Sequence, residues 1–453
     1  MYMRDLLTID AAPFNGPSRA ADRLSQPADV TSAVFAVLDK EQLAWCIPHG
    51  YEGLPDAYGS DVDIIVDESV TALHLRGVLL ANERAIGARV VRARGYFITL
   101  GCSDARGLPA YVTFDFATRY TDGNLLICDG REILAGRRRH GTFWVPAPGK
   151  AFALRVLRSV LKDRLDPETC QSLAALYREA PAASRATLDA FWPSRTADAA
   201  QAAETGNWRS LLDRAPLLRS ELRKHLALRN PGHAARSWLG TQGARIRRLL
   251  RPQGMVVVML GPDGAGKSST IDALERAMAP LFSRAEVRGF APTLRQVLRK
   301  TPSGTATPHA LKPRSLPVSL LRAGWWTAYG LFSHVSLHLA KARGTLVLHD
   351  RHFIDILVDP VRYRYGGPSW VLPMISALLP RPDVIVLLNG PPEVLQARKR
   401  ELTVEETARQ CRDYLKLVTP MRNSHIADAT KPHPQVVRGI ADLLTAEMAR
   451  RAR

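Results

Sequence analysis

The chain has 453 residues, which is long enough for two or three domains with sizeable cores. Apolar residues make up 46% of it and charged residues 23%, the composition of an ordinary soluble globular protein. The excess of 62 Lys and Arg over 43 Asp and Glu gives a net charge of +19, which favours acidic partners or else reflects only a solvated basic surface.

The cysteines and the N-terminal segment bear on the cellular compartment. Five cysteines lie far apart and no pair has C-x-x-C spacing, which argues against a zinc site or a disulfide framework. Residues 1–29 contain no apolar run flanked by basic residues, so we expect no signal peptide. The sequence therefore predicts a cytoplasmic protein, with peripheral contact to an anionic membrane left open.

The first segment, residues 30–149, mixes short predicted strands with helices. Strands are predicted at residues 62–66, 96–100 and 111–116. Asp61 and Asp63 would point to one face of the first of these strands, because strand side chains alternate. Asp115 lies on the third strand. Two metal ions need several converging carboxylates, and these three aspartates could supply them.

The three aspartates follow a glycine turn in an order that resembles the nucleotidyltransferase superfamily of DNA polymerase β. That order is His49-Gly50-Tyr51, then nine residues, then Asp61-Val62-Asp63 and, later, Asp115. The resemblance implies an α+β domain that transfers a nucleotidyl group with metal ions held by the aspartates. Tyr51 departs from the family, which has a small residue at that turn. A degenerate or purely structural domain is the alternative.

The second segment, residues 150–252, is predicted to be a basic, mostly helical linker. Apolar residues recur at helical spacing, and prolines divide the segment into short helices at Pro193, Pro216, Pro231 and Pro252. Its end carries a cluster of arginines among apolar side chains: Arg236, Arg245, Arg247, Arg248 and Arg251. Such a cluster belongs either to a solvated linker helix or to an amphipathic helix lying on an anionic membrane.

The third segment, residues 253–453, alternates apolar strands with helices, which predicts a parallel α/β sheet flanked by helices. The apolar run at residues 255–260 predicts a central strand buried on both faces. It leads into GPDGAGKS at residues 261–268, which matches G-x-x-x-x-G-K-[ST] at every fixed position. A helix is predicted over residues 268–279, so the order of elements predicts a phosphate-binding loop.

The residue types of this loop suit a nucleoside triphosphate. Glycines allow backbone N–H groups to surround the β-phosphate, and the helix N-terminus adds partial positive charge. Lys267 could bridge β- and γ-phosphate oxygens, and the Ser268 hydroxyl could bind Mg2+. We therefore expect ATP and Mg2+ as cofactors, bound by Gly261, Asp263, Gly264, Ala265, Gly266, Lys267, Ser268 and Ser269.

Two later strands bring further candidate groups to the same edge of the sheet. Residues 346–348 predict a strand leading to Asp350, which could hold Mg2+, and Arg351, which could clamp the transferring phosphoryl group. Residues 384–388 predict another strand, followed by a helix with Arg398 and Arg400 as cations of a lid over ATP. Strand-end ion pairs and a solvated helix face are the alternatives.

In sequence order these elements resemble thymidylate kinase. The matching stretches are the loop, DRHFID at 350–355, RPDVIVLL at 381–388, a Pro-Pro-Glu segment and ARKR at 397–400. The resemblance implies a P-loop kinase with Asp263 near the acceptor phosphate or its metal. It also implies that Arg398 and Arg400 supply the charge of a loop arginine that Ala265 replaces. The family's Arg-Glu-Pro-Gly-Gly segment is missing, since residues 287–293 read VRGFAPT.

Several acceptors stay open for this predicted phosphotransferase. The resemblance implies thymidine monophosphate or a related nucleoside monophosphate. The missing segment favours instead a thymidylate-kinase-like protein of surface-polysaccharide pathways, acting on a glycan or sugar. The run from Arg362 to Tyr365 could stack a base or a sugar and pair a phosphate. A non-catalytic, nucleotide-gated scaffold is a third hypothesis. Nucleic acid is not expected as a partner, and a homodimer is left open.

One stretch of the third segment is long and carries no formal charge. Residues 323–340 (AGWWTAYGLFSHVSLHLA) reach the length of a membrane span. They nevertheless contain two histidines, hydroxyl side chains and glycines, and they lie between the phosphate loop and a strand of the same predicted sheet. We therefore expect a buried helix of the kinase.

Overall fold

The computed structural model describes residues 25–56, 60–105, 107–123, 125–229, 231–289 and 312–453, with only the backbone described at 231–239. These residues divide into two compact units. The first comprises the described residues from 25 to 244 together with Glu447–Arg453, and the second comprises the described residues from 245 to 446. Residues 290–293 of the expected acceptor segment and the Arg236 side chain lie outside the described part of the chain.

The first unit contains a mixed five-stranded sheet. Its strands are β1 (Trp45–Cys46), β2 (Val62–Val66), β3 (Arg89–Arg94), β4 (Phe97–Ser103) and β5 (Pro109–Ala117), in the order β1-β2-β5-β4-β3. β2 and β5 are parallel, and the other pairs are antiparallel. The strands predicted at residues 62–66, 96–100 and 111–116 correspond to β2, β4 and β5.

Short helices and two hairpins accompany this sheet. The helices are α1 (Pro27–Lys40), α2 (Ala72–Ala81), α3 (Glu83–Ile86) and α4 (Gly130–Leu134). The hairpins pair β6 (Arg119–Asp122) with β7 (Leu125–Asp129), and β8 (Arg138–His140) with β9 (Phe143–Val145). Aromatic side chains such as Phe35, Trp45 and Phe114 fill the core of this part of the unit.

A run of helices follows: α5 (Pro148–Lys162), α6 (Pro167–Glu179), α7 (Pro181–Phe191), α8 (Thr196–Thr205), α9 (Trp208–Asp213), α10 (Ala215–Arg229) and α11 (Pro231–Leu250). Leu154, Leu157 and Val160 of α5 are buried at the helical spacing seen in the sequence. Proline marks the boundaries, because it lacks the N–H group that a helix interior needs. Pro231 begins α11, for example, and Pro252 follows it.

The second unit is built on a five-stranded parallel sheet. Its strands are β10 (Met255–Leu260), β11 (Arg284–Gly289), β12 (Thr345–Asp350), β13 (Val384–Asn389) and β14 (Ser424–Asp428), in the order β11-β12-β10-β13-β14. All four pairings are parallel. Every residue of β10 is buried, as expected for the central strand. The strand order reverses at β10, and ligands of such sheets bind beyond the carboxyl ends of the strands at that point.

Helices lie on both faces of this sheet. They are α12 (Lys267–Met278), α13 (Leu316–Ala342), α14 (Phe353–Val358), α15 (Val371–Leu378), α16 (Pro392–Arg398), α17 (Val404–Val418) and α18 (His433–Ala452), with a 3-10 turn at Ala279–Leu281. Tyr414 and Val418 of α17 pack against Val258 and Ile385 of the sheet. The predicted parallel α/β architecture is confirmed for this unit.

The expectation of a buried helix at residues 323–340 is wrong in one respect. The stretch is helical, within α13, and Ala323, Trp326 and Ala340 pack inward. Phe332 and Val335 point instead into solvent. A helix buries only the stripe that touches its sheet, so an apolar composition does not reveal which face is covered. Among the described residues, no helix is both long enough and apolar enough to cross a membrane.

Candidate functional site

The loop between β10 and α12 wraps back on itself at its glycines. Gly264 and Gly266 adopt φ values of 85° and 84°, which favour glycine because they lie in the left-handed region. A Cβ on Gly264 would collide with the carbonyl oxygen of Leu395, while a Cβ on Gly266 would make only an ordinary van der Waals contact with Ser269 Oγ at 3.6 Å. Ala265, by contrast, is buried and its N–H donates to the carbonyl of Pro262 at 3.3 Å. The loop therefore has the compact turn that the sequence motif predicts.

The Lys267 ammonium group is held inside this loop. Its Nζ donates to the carbonyl oxygens of Gly261 at 2.6 Å and Pro262 at 2.9 Å, and lies 3.9 Å from Asp263. Burial lowers the pKa of Lys267, and the carboxylates of Asp263 and Asp355 act against that effect. The lysine thus occupies the centre of the loop, where a phosphate would meet it.

The Ser268 hydroxyl and the Asp350 carboxylate lie side by side. Ser268 Oγ donates to Asp350 Oδ2 at 3.2 Å. Asp350 is the last residue of β12, which pairs with β10, so both groups sit at the carboxyl edge of the sheet. Two cis ligands of an octahedral Mg2+ ion at ~2.1 Å would be about 3 Å apart, and Mg2+ prefers oxygen ligands. The pair therefore fits a magnesium site.

Ser269 uses its side chain differently from Ser268. Its Oγ donates to the carbonyl oxygen of Gly266 at 2.9 Å, and Thr270 Oγ1 donates to the same oxygen at 2.8 Å. The same oxygen also accepts the Thr270 backbone N–H at 3.0 Å, so all three bonds close the first turn of α12. The Ser269 hydroxyl hydrogen is thus used within the helix, and the residue would contribute to anion binding through its backbone N–H at the helix N-terminus.

Asp263, the carboxylate of the loop, is surrounded by cations. The cations within 4.0 Å of it in the described part of the chain are Lys267, Arg362 and Lys399, and Arg362 makes a short direct hydrogen bond to it. Burial raises the pKa of Asp263, but Lys267 and Arg362 outweigh that effect and hold it well below its usual range. No motif or spacing in the sequence indicates that Arg362 and Lys399 both contact Asp263.

The two predicted lid arginines lie at the end of α16. Arg398 donates to the carbonyl oxygen of Ala429 at 2.8 Å, and both Arg398 and Arg400 are exposed. Lys399, between them, is the cation of this run that reaches Asp263, and it also pairs with Glu401 at 3.1 Å.

Arg351 turns out of β12 with an unusual backbone conformation. Its φ is 104°, a region that non-glycine residues rarely adopt and that is often found at functional sites. Burial lowers the pKa of Arg351, but the neighbouring Tyr363, Asp263 and Asp355 together raise it by more. The pKa of Arg351 is therefore raised overall. The guanidinium group is therefore a permanent cation among the groups around the loop.

Asp355 forms a buried anchor next to Arg351. Its carboxylate accepts hydrogen bonds from the Tyr414 hydroxyl at 2.6 Å and the His352 backbone N–H at 2.6 Å. Burial raises the pKa of Asp355, although both donors favour the charged form. The contact fixes the start of α14 against α17 and so fixes the position at which the chain leaves β12.

An aromatic cavity of about 130 Å³ opens beside Arg351, between α13 and the sheet. Trp326 and Tyr329 of α13 line it together with His349 of β12 and Arg288 of β11. Burial lowers the pKa of His349 to about 4, so that this side chain is neutral at physiological pH. Planar walls with arginines beside them suit an acceptor that has a flat or apolar body and an anionic group.

The run from Arg362 to Tyr365 does two different things. Arg362 reaches the phosphate loop, whereas Tyr363 and Tyr365 pack around Trp326 with ring centroids 6.3 Å and 6.4 Å away. The Arg364 Nε donates to the carbonyl oxygen of Lys312 at 3.0 Å. The tyrosines thus support the wall of the cavity through Trp326.

The first unit brings its three predicted carboxylates together. Oxygens of Asp61, Asp63 and Asp115 all lie within 4.8 Å of one another, because β2 and β5 are parallel with Asp63 opposite Asp115. Burial and the two neighbouring carboxylates raise the pKa of Asp115 to about 6, and burial raises the pKa of Asp63. Such crowding of half-buried negative charge is relieved by a bound cation, so the cluster fits a metal ion.

Two basic side chains flank this acidic cluster. Arg158 lies 3.4 Å from Asp63, and the buried ring of His49 lies 3.5 Å from the same carboxylate. Burial lowers the pKa of His49 to about 3 and keeps the ring neutral. Tyr51 is directed into the core, where Arg155 stacks 4.6 Å above its ring. The bulky residue at the glycine turn therefore packs into the core of the unit.

No protein-family model and no curated protein matches the sequence. The structure is similar to that of a thymidylate kinase from Candida albicans, with 16% identity and a TM-score of 0.34. The likeness covers 44% of this chain and 94% of the thymidylate kinase. At this distance it does not extend to a reaction or a substrate.

Proposed function

We propose that the second unit is an ATP-dependent phosphotransferase that moves the γ-phosphate of ATP to a nucleoside monophosphate or a related acceptor. The observation that carries this proposal is the position of Ser268 Oγ, 3.2 Å from Asp350 and one residue after the loop-bound Lys267. A phosphate-binding loop with a hydroxyl and a carboxylate beside it is the arrangement that ATP with Mg2+ requires.

Each group has a chemical role in this proposal. Lys267 and the loop N–H groups hold the β- and γ-phosphates, and in doing so Lys267 exchanges two carbonyl partners for phosphate oxygens. Ser268 and Asp350 hold Mg2+, which when bound neutralises charge on the phosphate oxygens. Arg351 clamps the transferring group. Arg398 and Arg400, with Lys399 between them, supply the charge of a closing lid.

The aromatic cavity supports an acceptor with a flat or apolar body. Its lining includes both Arg351 and Trp326, so Arg351 would pair an anionic group of an acceptor that stacks on the aromatic side chain. Thymidine monophosphate meets these requirements, and so does a sugar phosphate of a glycan pathway, because sugars also stack on aromatic rings.

Lys267→Ala tests the proposal directly. We expect it to abolish ATP turnover by the full chain while the melting temperature changes little, because the hydrogen bonds of Lys267 go to carbonyl oxygens of its own loop. Lys416→Ala, an exposed lysine of α17, is the matched control and should retain activity. Unchanged turnover in Lys267→Ala would refute the assignment.

The acceptor is identified by a screen with γ-labelled ATP. Nucleoside monophosphates, sugars, sugar phosphates and oligosaccharides are offered to the wild-type chain and to Lys267→Ala. Transfer to a nucleoside monophosphate supports the kinase of thymidylate kinase type, and transfer to a glycan supports the alternative acceptor. Tight ATP binding with no transfer to any acceptor would favour a nucleotide-gated scaffold over a kinase.

A second candidate function belongs to the first unit: metal-dependent nucleotidyl transfer. It is favoured by the convergence of Asp61, Asp63 and Asp115 within 4.8 Å. Such carboxylates would hold metal ions that bind the phosphates of a nucleoside triphosphate. Arg158 could then pair a phosphate oxygen beside the same site.

Replacing Asp61 and Asp63 together by Asn tests this second function. Labelling of an acceptor from α-labelled nucleoside triphosphate should disappear, because amides bind divalent cations far more weakly than carboxylates do. Asp213→Asn, at an exposed aspartate of α9, serves as the control. Labelling that persists in the double variant would show that the carboxylates are not catalytic.

A further inference from the structure

The solvent-facing side of α13 carries an apolar stripe. Leu321, Phe332, Val335 and Leu339 are exposed along it, with 77% of Leu321 and 84% of Phe332 accessible to solvent. Their spacing of 11, 3 and 4 residues places them on one face of the helix. We name these four residues the α13 stripe. Scattered apolar residues are normal on a surface, but four large apolar side chains exposed on one face of a helix mark an interaction site.

The opposite side of α13 is already in use. Ala323 and Trp326 pack with Phe353, and Ala340 packs with Val256 and Val347 of the sheet. Because one face of α13 packs against its own core, a partner can contact the helix only on the opposite face. The partner must therefore present a surface to the stripe and cannot enclose the helix.

A cluster of arginines adjoins the stripe. His338 of α13 is hydrogen-bonded through Nε2 to the carbonyl oxygen of Leu249 at 2.7 Å, so the end of α11 lies against α13. Leu250 is 76% exposed there, and Ile246 and Leu249 are also exposed. Between these apolar residues stand four exposed arginines: Arg245, Arg247, Arg248 and Arg251. Exposed apolar and cationic side chains thus lie on two adjoining helices within the second unit, and together they define an apolar and cationic surface.

We propose that this surface binds an anionic lipid bilayer. Apolar side chains that enter the boundary between headgroups and acyl chains, with arginines that pair lipid phosphates, are the features of interfacial binding. The sequence contains no acidic residue from Pro231 to Pro262 or from Lys312 to His349, so the charged side chains that these two segments present are all cationic. The complementary partner is therefore an anionic surface.

The same charges disfavour a second copy of the chain as the occupant. Lys312 and Arg314 precede α13, and Arg343 follows it, and all three are exposed. Whether two stripes packed parallel or antiparallel, the cationic ends of the two copies would meet. Like charges placed opposite each other cost affinity at an interface, whereas anionic phospholipids would neutralise both ends at once.

The proposal is tested with the full-length chain and phospholipid vesicles. We expect sedimentation with vesicles of phosphatidylcholine containing about one-third phosphatidylserine, and at least tenfold weaker binding to pure phosphatidylcholine. Leu321→Ser combined with Phe332→Ser should weaken binding to the anionic vesicles at least about tenfold. Arg247→Ser combined with Arg248→Ser should weaken it about 30-fold, since each cation near such a surface contributes about fivefold.

The controls separate this mode of binding from the alternatives. Arg178→Ser combined with Arg209→Ser removes the same charge from exposed positions of the first unit and should change binding less than about threefold. All variants should retain ATP binding, since none of these residues lies in the phosphate loop. Equal binding to charged and uncharged vesicles, or no binding at all, would overturn the proposal. A dimer that dissociates in the stripe variant, without vesicle binding, would do so too and would identify a second copy as the occupant.

Discussion

Alanine substitutions at three glycines should separate two energetic costs of placing a Cβ in the phosphate loop. These are the strain of a left-handed backbone and a steric collision with neighbouring atoms. At Gly264, with φ 85°, an alanine would have to adopt a left-handed backbone conformation, and its Cβ would collide with the carbonyl oxygen of Leu395. At Gly266, with φ 84°, the backbone is similar, but the nearest atom to a Cβ is Ser269 Oγ at 3.6 Å. Gly439 of α18 is half-buried, but nothing lies within 4 Å of its Cβ position. The three positions thus form a graded series.

The magnitudes follow from these surroundings. An L-residue in the left-handed region costs about 1–2 kcal/mol, so Gly266→Ala should lose that amount. Gly264→Ala should lose about 2–4 kcal/mol in all, because relief of the collision also requires the loop or α16 to move. Gly439→Ala should be neutral or gain up to about 1 kcal/mol, since alanine is the better helix former.

The assay must measure both folding stability and affinity for ATP, because the strain can reduce either one. A loop that keeps its shape loses folding stability, whereas a loop that relaxes loses affinity for ATP. Urea unfolding of the second unit and calorimetric titration with ATP and Mg2+ together measure the sum. If both loop variants match Gly439→Ala in that sum, the loop does not adopt this conformation and the reasoning fails.

Three further predictions concern single contacts. Ser268→Ala should weaken Mg2+-dependent ATP binding about tenfold, the effect of losing ~1.4 kcal/mol, whereas Ser269→Ala should change it less than threefold in the same titration. The pKa of Asp115 near 6 means that protons compete with metal below that pH, so Mn2+ affinity of the first unit should fall about tenfold from pH 7 to pH 5 in a spectroscopic titration; affinity independent of pH would contradict it. Tyr414→Phe removes a donor from the buried Asp355 carboxylate and should cost about 1–3 kcal/mol in urea unfolding, while an unchanged midpoint would mean that the bond contributes nothing.

The sequence was most informative where local order determines spatial order. Ser268 and Asp350 could be paired in advance, because the carboxyl ends of neighbouring parallel strands share one edge. Asp61 and Asp63 could be placed on one face because strand side chains alternate. The strands β10, β12 and β13 were predicted because each contains a short apolar run bounded by turn residues, whereas the polar strands β11 and β14 were not predicted.

The sequence was silent where distant segments meet. Arg362 is 99 residues from Asp263, and no periodicity or motif connects them. The lid run ARKR offered three adjacent cations, and only the fold determines that Lys399 is the one facing Asp263. The exposed face of α13 was missed because apolar composition reports burial on average and says nothing of which side of a helix the sheet covers.

The contacts of Lys267 have a consequence for the choice of anion. With its ammonium group on two carbonyl oxygens of its own loop, the resting lysine is already solvated by the protein. A lone phosphate or sulfate offers little that those carbonyls do not, so it should displace them poorly. A polyphosphate chain engages the lysine, the amide groups and the serine in one event. Preference for longer phosphate chains can then arise without any residue dedicated to measuring their length.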